Sequence, residues 1–179
     1  MNMPAADKRR ILKLFSVLLS YPNEALVESL GDLREELATF SEHPAMLSCE
    51  SFLITLETPP LITLQEHYTA VFDFNPKTCL NLTYHEYGES SGRGPALAHL
   101  IQLYKSEGYE TSNDESPDYL PMVLEFLSVC PDQICSVILK RHTKHISAVA
   151  ERLKERQSPY GNILEALSII CRELAHTGD

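Results

Sequence analysis

A glycine-rich stretch, Gly88-Glu89-Ser90-Ser91-Gly92-Arg93-Gly94, precedes a predicted helix. Glycine-rich turns at helix starts bind phosphate through backbone N–H groups, so a nucleotide site is the first hypothesis. A Walker loop requires Lys followed by Ser or Thr at its end, but Arg93-Gly94-Pro95 stands there. The dinucleotide fingerprint requires a preceding strand and a third glycine in its pattern, and neither is present. What remains is a helix N-terminus with a nearby Arg, which could hold an anion weakly.

Histidine and cysteine residues suggest metal or nucleophilic chemistry, but every pattern is incomplete. His85-Glu86 begins an H-E-x-x-H sequence, and position 89 is Glu instead of His. Cysteines at helix starts usually fill cores, and no zinc-finger spacing fits the set Cys130, Cys135, His142 and His145. The G-x-S-x-G nucleophile elbow is absent. The residues therefore predict no catalytic, cofactor-binding or metal-binding residue. A nucleotide- or metal-dependent hydrolase stays open as the less favoured alternative.

Composition and charge restrict the class of protein further. The 179 residues carry 25 acidic and 15 basic side chains, for a net charge of -10. Phosphate backbones are bound by clustered Lys and Arg, so a nucleic-acid partner is excluded. No apolar stretch reaches the ~18–20 residues of a membrane span, so direct membrane insertion is excluded too. The five widely spaced cysteines fit reduced thiols, and we expect a cytoplasmic protein.

The elements that must position these residues are helices. Apolar residues recur at three- and four-residue spacing, and prolines stand near the start of most periodic segments. The patterns predict helices at 6–20, 23–41, 44–57, 61–73, 94–107, 118–129, 131–156 and 159–176. We therefore predict an all-α fold, with residues 1–179 as a single-domain bundle of antiparallel helices.

Two connections and one short run interrupt the helical pattern. Leu80, Leu82 and Tyr84 alternate with polar residues as in a strand, but the run is too short to build a sheet. The connection at 73–94 is long for a compact domain, and such loops are usually functional. The segment 108–117 is a polar, acidic hinge, which allows a helix-swapped dimer; we expect a monomer or a weak homodimer.

These unusual segments resemble one family. The resemblance covers most of the chain and is densest from about 65 to 130. The matching positions are Leu18-Leu19-Ser20-Tyr21-Pro22, Tyr68-Thr69-Ala70-Val71-Phe72-Asp73, His85, Gly88-Glu89-Ser90, Arg93-Gly94, Ala96, Tyr104, Pro117-Asp118-Tyr119-Leu120-Pro121, Leu124-Glu125-Phe126-Leu127, Arg152-Leu153, Arg156, Ser158 and Tyr160. Together they resemble the nitrate reductase delta-subunit, or NarJ-type, branch of the TorD/DmsD/NarJ molybdoenzyme maturation chaperones.

The resemblance implies an all-helical chaperone of TorD/NarJ-like fold, with no catalytic activity and no cofactor of its own. Its partner would be the N-terminal region of an apo molybdoenzyme catalytic subunit, held ready for insertion of the molybdenum cofactor. Nitrate reductase is the nearest client. Tyr119 stands where the family commonly has His, and Tyr84 where it has Glu, so another oxyanion reductase or a hydrocarbon dehydrogenase remains open as the client.

A client peptide that folds as an amphipathic helix needs an apolar groove with a polar rim. Aromatic and Met side chains offer large contact areas, and acidic residues attract basic peptides. The expected client-binding residues are Tyr68, Phe72, Asp73, Tyr84, His85, Glu89, Arg93, Asp118, Tyr119, Met122, Glu125 and Phe126. Core packing is the alternative for the aromatic residues, and capping of the following helix is the alternative for Asp118. A helical adaptor with an unrelated partner is the alternative for the whole protein.

Overall fold

Helices make up almost all of the regular structure. The computed structural model of the chain describes residues 5–40, 43–111 and 115–175. Within these ranges the helices are α1 (Ala5–Leu18), α2 (Glu24–Glu28), α3 (Leu30–Ala38), α4 (Met46–Glu57), α5 (Leu61–Tyr68), α6 (Leu82–Tyr87), α7 (Arg93–Ser106), α8 (Leu120–Leu127), α9 (Asp132–Glu155) and α10 (Pro159–Ala175). A π-helical turn, Thr69–Asp73, continues α5. The predicted all-α class is confirmed.

Most predicted helices begin within two residues of the observed ones, and prolines explain this agreement. Pro60 and Pro131 directly precede α5 and α9, and Pro159 is the first residue of α10. Proline lacks an N–H and has a fixed φ, so it is tolerated at a helix start and not in a helix interior. The predicted ends at 41 and 176, and part of the predicted hinge at 108–117, lie outside the described residues.

The prediction of one helix over 23–41 was wrong, because the chain breaks at Ser29 between α2 and α3. The Ser29 hydroxyl donates to the carbonyl of Leu26 at 2.9 Å, and its N–H donates to the carbonyls of Ala25 and Leu26. A serine side chain that bonds the preceding turn competes with continuation of the helix.

The predicted connection at 73–94 contains a helix, α6, that the sequence analysis missed. The strand-like alternation from Leu80 to Tyr84 is reduced to one antiparallel bridge between Asn81 and Tyr119, and α6 begins at Leu82. No strand is present in the ranges that the structure describes. A six-residue helix is too short to show a helical period, which is why its pattern was misleading.

Helices α9 and α10 form a hairpin, because only residues 156–158 separate them, and they share the most extensive helix–helix packing among the described residues. They approach closely at Gly161: a Cβ there would lie 2.7 Å from the backbone nitrogen of Lys154. Only glycine fits such a contact without displacing one of the helices. The pair is also joined at the surface, where the Lys154 Nζ lies 2.7 Å from the Glu165 carboxylate.

The other helices pack against this hairpin or against one another. α4 lies against α10, and α1 lies against α8. The buried apolar side chains form one contiguous cluster. None of the helices among the described residues has the length and apolar character that crossing a bilayer requires.

Candidate functional site

The Asp118 carboxylate has hydrogen bonds or close charge contacts with four residues near the predicted site residues. The Asp118 side chain is fully buried. One carboxylate oxygen accepts from the Asn81 amide at 3.0 Å and the Ser116 hydroxyl at 2.5 Å. The other accepts from the hydroxyl and backbone N–H of Thr83, and the Arg93 guanidinium lies 3.6 Å away. A buried charge needs such partners, and here four residues supply them.

The sequence suggested that Asp118 caps the helix that follows it, and this is wrong: it caps α6, which precedes it. The cap position of α8 is Tyr119, and the Asp118 carboxylate bonds the Thr83 N–H in the first turn of α6. Asp118 therefore caps a helix that precedes it in the chain by 35 residues, which a local pattern does not reveal. The backbone holds the same junction, since the Leu82 N–H donates to the Asp118 carbonyl at 3.0 Å.

A cavity of about 410 Å³ opens on one side of Asp118. We call it the aromatic cavity; its lining residues are Tyr21, Tyr68, Phe72, Asp73, Cys79, Leu80, Asn81, Glu115, Ser116 and Tyr119. The structure thus brings together four of the predicted site residues, namely Tyr68, Phe72, Asp73 and Tyr119. Asp73 and Glu115 are exposed and give the cavity an acidic rim.

Two phenols order the wall of the aromatic cavity. The Tyr68 hydroxyl donates to the Leu19 carbonyl at 2.9 Å and lies 2.5 Å from the Tyr119 hydroxyl. Because Tyr68 donates its hydroxyl proton to the Leu19 carbonyl, the Tyr119 hydroxyl donates to the Tyr68 oxygen. Burial raises the pKa of Tyr119 to about 12 and raises the pKa of Tyr68 further, so both are neutral phenols. Tyr68 and Phe72 are also part of the core, which was the alternative for both.

A second opening, of about 510 Å³, lies on the other side of Asp118 between α7 and α9. We call it the α7–α9 groove. Its residues are Thr83, Tyr87, Gly92, Pro95, Ala96, His99, Leu100, Leu103, Gln133, Ile134, Val137, Ile138, Arg141 and His142. Val137 is 67% exposed there, an unusual position for a large apolar side chain. The groove has an apolar floor and a polar edge.

Three further predicted site residues lie together beside Asp118. The Arg93 guanidinium lies over the Tyr84 ring, 5.4 Å from its centroid, and donates to the Thr83 hydroxyl at 3.3 Å. Burial and the nearby charge of Glu89 raise the pKa of Tyr84. Arg93 thus links the half-buried Tyr84 to the buried carboxylate.

The other four predicted site residues lie elsewhere, and like Asp118, Tyr84, Glu89 and Arg93 they line neither opening. The His85 Nε2 donates to the Cys79 carbonyl at 2.7 Å. Met122 and Phe126 are buried in the core, where the Phe126 ring packs 4.7 Å from that of Tyr104. Glu125 forms an ion pair with Lys13 of α1. A direct contact with a client stays a prediction for all twelve residues.

The electrostatics of Asp118 keep it ionised. Burial alone would raise the pKa of this carboxyl. The hydrogen bonds from Ser116, Thr83 and Asn81, together with the Arg93 guanidinium, outweigh burial and hold its pKa below the usual value. The Asp118 carboxylate is therefore ionised near neutral pH and exchanges no proton there.

Sequence reasoning missed several residues of the site. Asn81, Thr83 and Ser116 were not selected, although all three bond Asp118. The whole α7–α9 groove was missed as well. The available signal was weak: small polar residues on both sides of a predicted loop indicate a turn or cap without naming its partner.

Comparisons with known proteins agree with this architecture. A family model described as nitrate reductase delta subunit matches residues 24–165. The chain is 31% identical over 177 residues to the probable nitrate reductase molybdenum cofactor assembly chaperone NarJ of Bacillus subtilis, covering 92% of this chain and 90% of that protein. It is 35% identical over 158 residues to the probable chaperone NarW of Escherichia coli, which has the same description, covering 88% of this chain and 66% of NarW. A crystal structure of a redox enzyme maturation protein from Archaeoglobus fulgidus superposes with a TM-score of 0.66 at 24% identity, covering 92% of this chain and 93% of that one, and shares the fold.

Proposed function

Because the chain belongs to the nitrate reductase delta-subunit family, we propose that it is a system-specific maturation chaperone. It binds the N-terminal segment of an apo molybdoenzyme catalytic subunit, nitrate reductase or a close relative, and assists insertion of the molybdenum cofactor. It acts in the cytoplasm by stoichiometric binding and catalyses no reaction. The observation that carries this proposal is the match, over about nine tenths of the chain, to relatives named as nitrate reductase molybdenum cofactor assembly chaperones.

The aromatic cavity supports binding of a peptide with basic residues. Its walls are aromatic rings, which offer large contact areas at low cost in side-chain entropy. Asp73 and Glu115 lie at its rim, and the protein has a net charge of -10. Opposite charges at an interface rim speed association and select for a cationic partner.

The α7–α9 groove supports binding of an apolar helical face. An amphipathic helix places apolar side chains into a groove at i, i+3, i+4 and i+7. Leu100, Leu103 and Ile138 provide the floor, and the exposed Val137 extends the apolar surface outward. Thr83 lines this groove and Asn81 lines the aromatic cavity, so the two openings lie on either side of Asp118. One client segment can therefore contact both.

The proposal is tested by capture of the partner. A tagged chain is purified from its native host grown anaerobically, and bound proteins are identified by mass spectrometry. We expect one molybdoenzyme catalytic subunit, lost when its N-terminal segment is deleted. An unrelated partner, recovered while the catalytic subunits are expressed but not bound, would replace the chaperone proposal with that of a helical adaptor.

A further inference from the structure

A cluster of possible metal ligands lies where α6 meets α9. Glu86 comes from α6, and His142 and His145 are one turn apart on α9. One ligand atom from each residue lies within 4.8 Å of those from the other two. The cluster is separate from Asp118 and from the aromatic cavity, although His142 also lines the α7–α9 groove.

Two imidazole nitrogens in this cluster lack hydrogen-bond partners. His142 is 5% exposed, and its Nδ1 is buried with no partner among the described residues. The Nε2 of His145 is likewise buried and without a partner in the same part of the chain. Leaving a buried polar atom unsatisfied costs about 1–3 kcal/mol, so two such atoms in one cluster favour a ligand that pairs with both.

From this arrangement we propose that Glu86, His142 and His145 bind a divalent transition-metal ion of the zinc class. Two imidazoles and one carboxylate are ligands that Zn²⁺ accepts at ~2.0–2.2 Å, with water in the remaining position. Ligands of a tetrahedral ion lie roughly 3.4 Å apart at such bond lengths. The three ligand atoms lie within 4.8 Å of one another, so small side-chain rotations bring them to this spacing.

The surrounding residues suit such a site. Arg141 donates to both Glu86 oxygens at 2.9 Å and to the Tyr87 hydroxyl at 2.6 Å. An ionised carboxylate has about four lone-pair sites, so Glu86 can accept from Arg141 and still bind an ion. Arg141 then orients the ligand as outer-shell partners do, while its charge and that of Lys144 weaken binding.

The test is Zn²⁺ and Co²⁺ binding by the full chain after treatment with a chelator. We expect one Zn²⁺ per chain by competition with a chromophoric chelator. The Co²⁺ complex should show the d–d bands of a tetrahedral site without a thiolate charge-transfer band. Each of Glu86→Gln, His142→Gln and His145→Gln should weaken Zn²⁺ binding by at least about tenfold.

Two variants provide matched controls. His99→Gln removes an exposed histidine of the neighbouring groove, and Cys79→Ser removes a half-buried thiol near His85; neither should change Zn²⁺ affinity. The proposal is overturned if the unmodified chain binds no Zn²⁺ above background, if a thiolate band appears, or if Glu86→Gln and His145→Gln both retain full affinity. These two variants decide the matter even if His142→Gln does not fold.

Discussion

The hydroxyl and the backbone nitrogen of Thr83 lie 2.5 Å and 3.1 Å from the same carboxylate oxygen of Asp118. The N–H groups in the first turn of a helix have no partner within that helix. Asp118 provides one for α6, although it lies 35 residues further along the chain. A single carboxylate thus fixes the start of α6, the segment before α8, and the wall between the aromatic cavity and the α7–α9 groove.

Replacing Asp118 with Ala should lower the free energy of unfolding by about 3 kcal/mol, because hydrogen bonds to a charged, buried group are lost and their donors remain. Urea denaturation followed by circular dichroism measures the change. Asp73→Ala is the control: this carboxylate is exposed, so its removal should change stability by no more than about 0.5 kcal/mol. Equal effects of the two variants would contradict the role given to Asp118.

The stabilising effect of Asp118 should depend on pH. Its pKa in the folded state lies below the usual value, so the unfolded chain takes up the proton first as the pH falls. Its contribution is therefore fully present above about pH 5 and is lost as the pH falls through the folded-state pKa. Urea titrations at several pH values should show the stability of Asp118→Asn approaching that of the unmodified chain in acid. A constant difference down to about pH 2 would show that the carboxylate charge is not the cause.

Gly161→Ala should destabilise the α9–α10 hairpin by about 2 kcal/mol, because the added methyl group meets the backbone of Lys154. Gly31→Ala is the matched control: Gly31 lies in the first turn of α3, as Gly161 does in that of α10, and a Cβ there meets nothing within 4 Å. Alanine favours a helix over glycine by up to about 1 kcal/mol, so this variant should be slightly more stable. Thermal denaturation gives the melting temperatures of both variants and of the unmodified chain. The prediction fails if Gly161→Ala melts at or above the temperature of the unmodified chain.

Asp73→Lys should slow association with a basic client peptide about three- to tenfold at low salt, since the charge of an interface rim acts mainly on the association rate. Asp32→Lys on α3 makes the same change of net charge away from the aromatic cavity and should have a smaller effect. Stopped-flow measurements should show the two variants converging as salt is raised, because exposed charges are screened. Identical rates at low salt would mean that the client does not approach this rim.

Helices with a regular apolar stripe could be predicted from sequence. The stripe on α10, which includes Ile163, Leu167, Ile170 and Leu174, is buried as its spacing indicated. The prediction failed for α6, which is too short to display a period and begins at a cap from a distant residue. Local patterns carry no information about a carboxylate 35 residues away.

The site could be predicted only in part for the same reason. Tyr68, Phe72, Asp73 and Tyr119 were predicted from residue type and family resemblance, and all four line one cavity. The cluster of Glu86, His142 and His145 could not be foreseen, since the glutamate lies on α6 and the two histidines lie on α9. Helices α7 and α8 separate these two helices along the chain. Their meeting depends on how α6 packs against α9.

The bridge between Asn81 and Tyr119 holds together the two ends of the chain segment that runs from α6 to the start of α8. The Leu82 N–H bonds the Asp118 carbonyl and the Leu120 N–H bonds the Leu80 carbonyl, so the chain leaves and returns at one point. A chain segment whose two ends are held together can change length without moving the structure outside it. Doubling a flexible loop costs only about 0.6 kcal/mol in closure entropy. The connection between α7 and α8 can therefore be lengthened at a small cost in closure entropy, while the α9–α10 hairpin stays as it is.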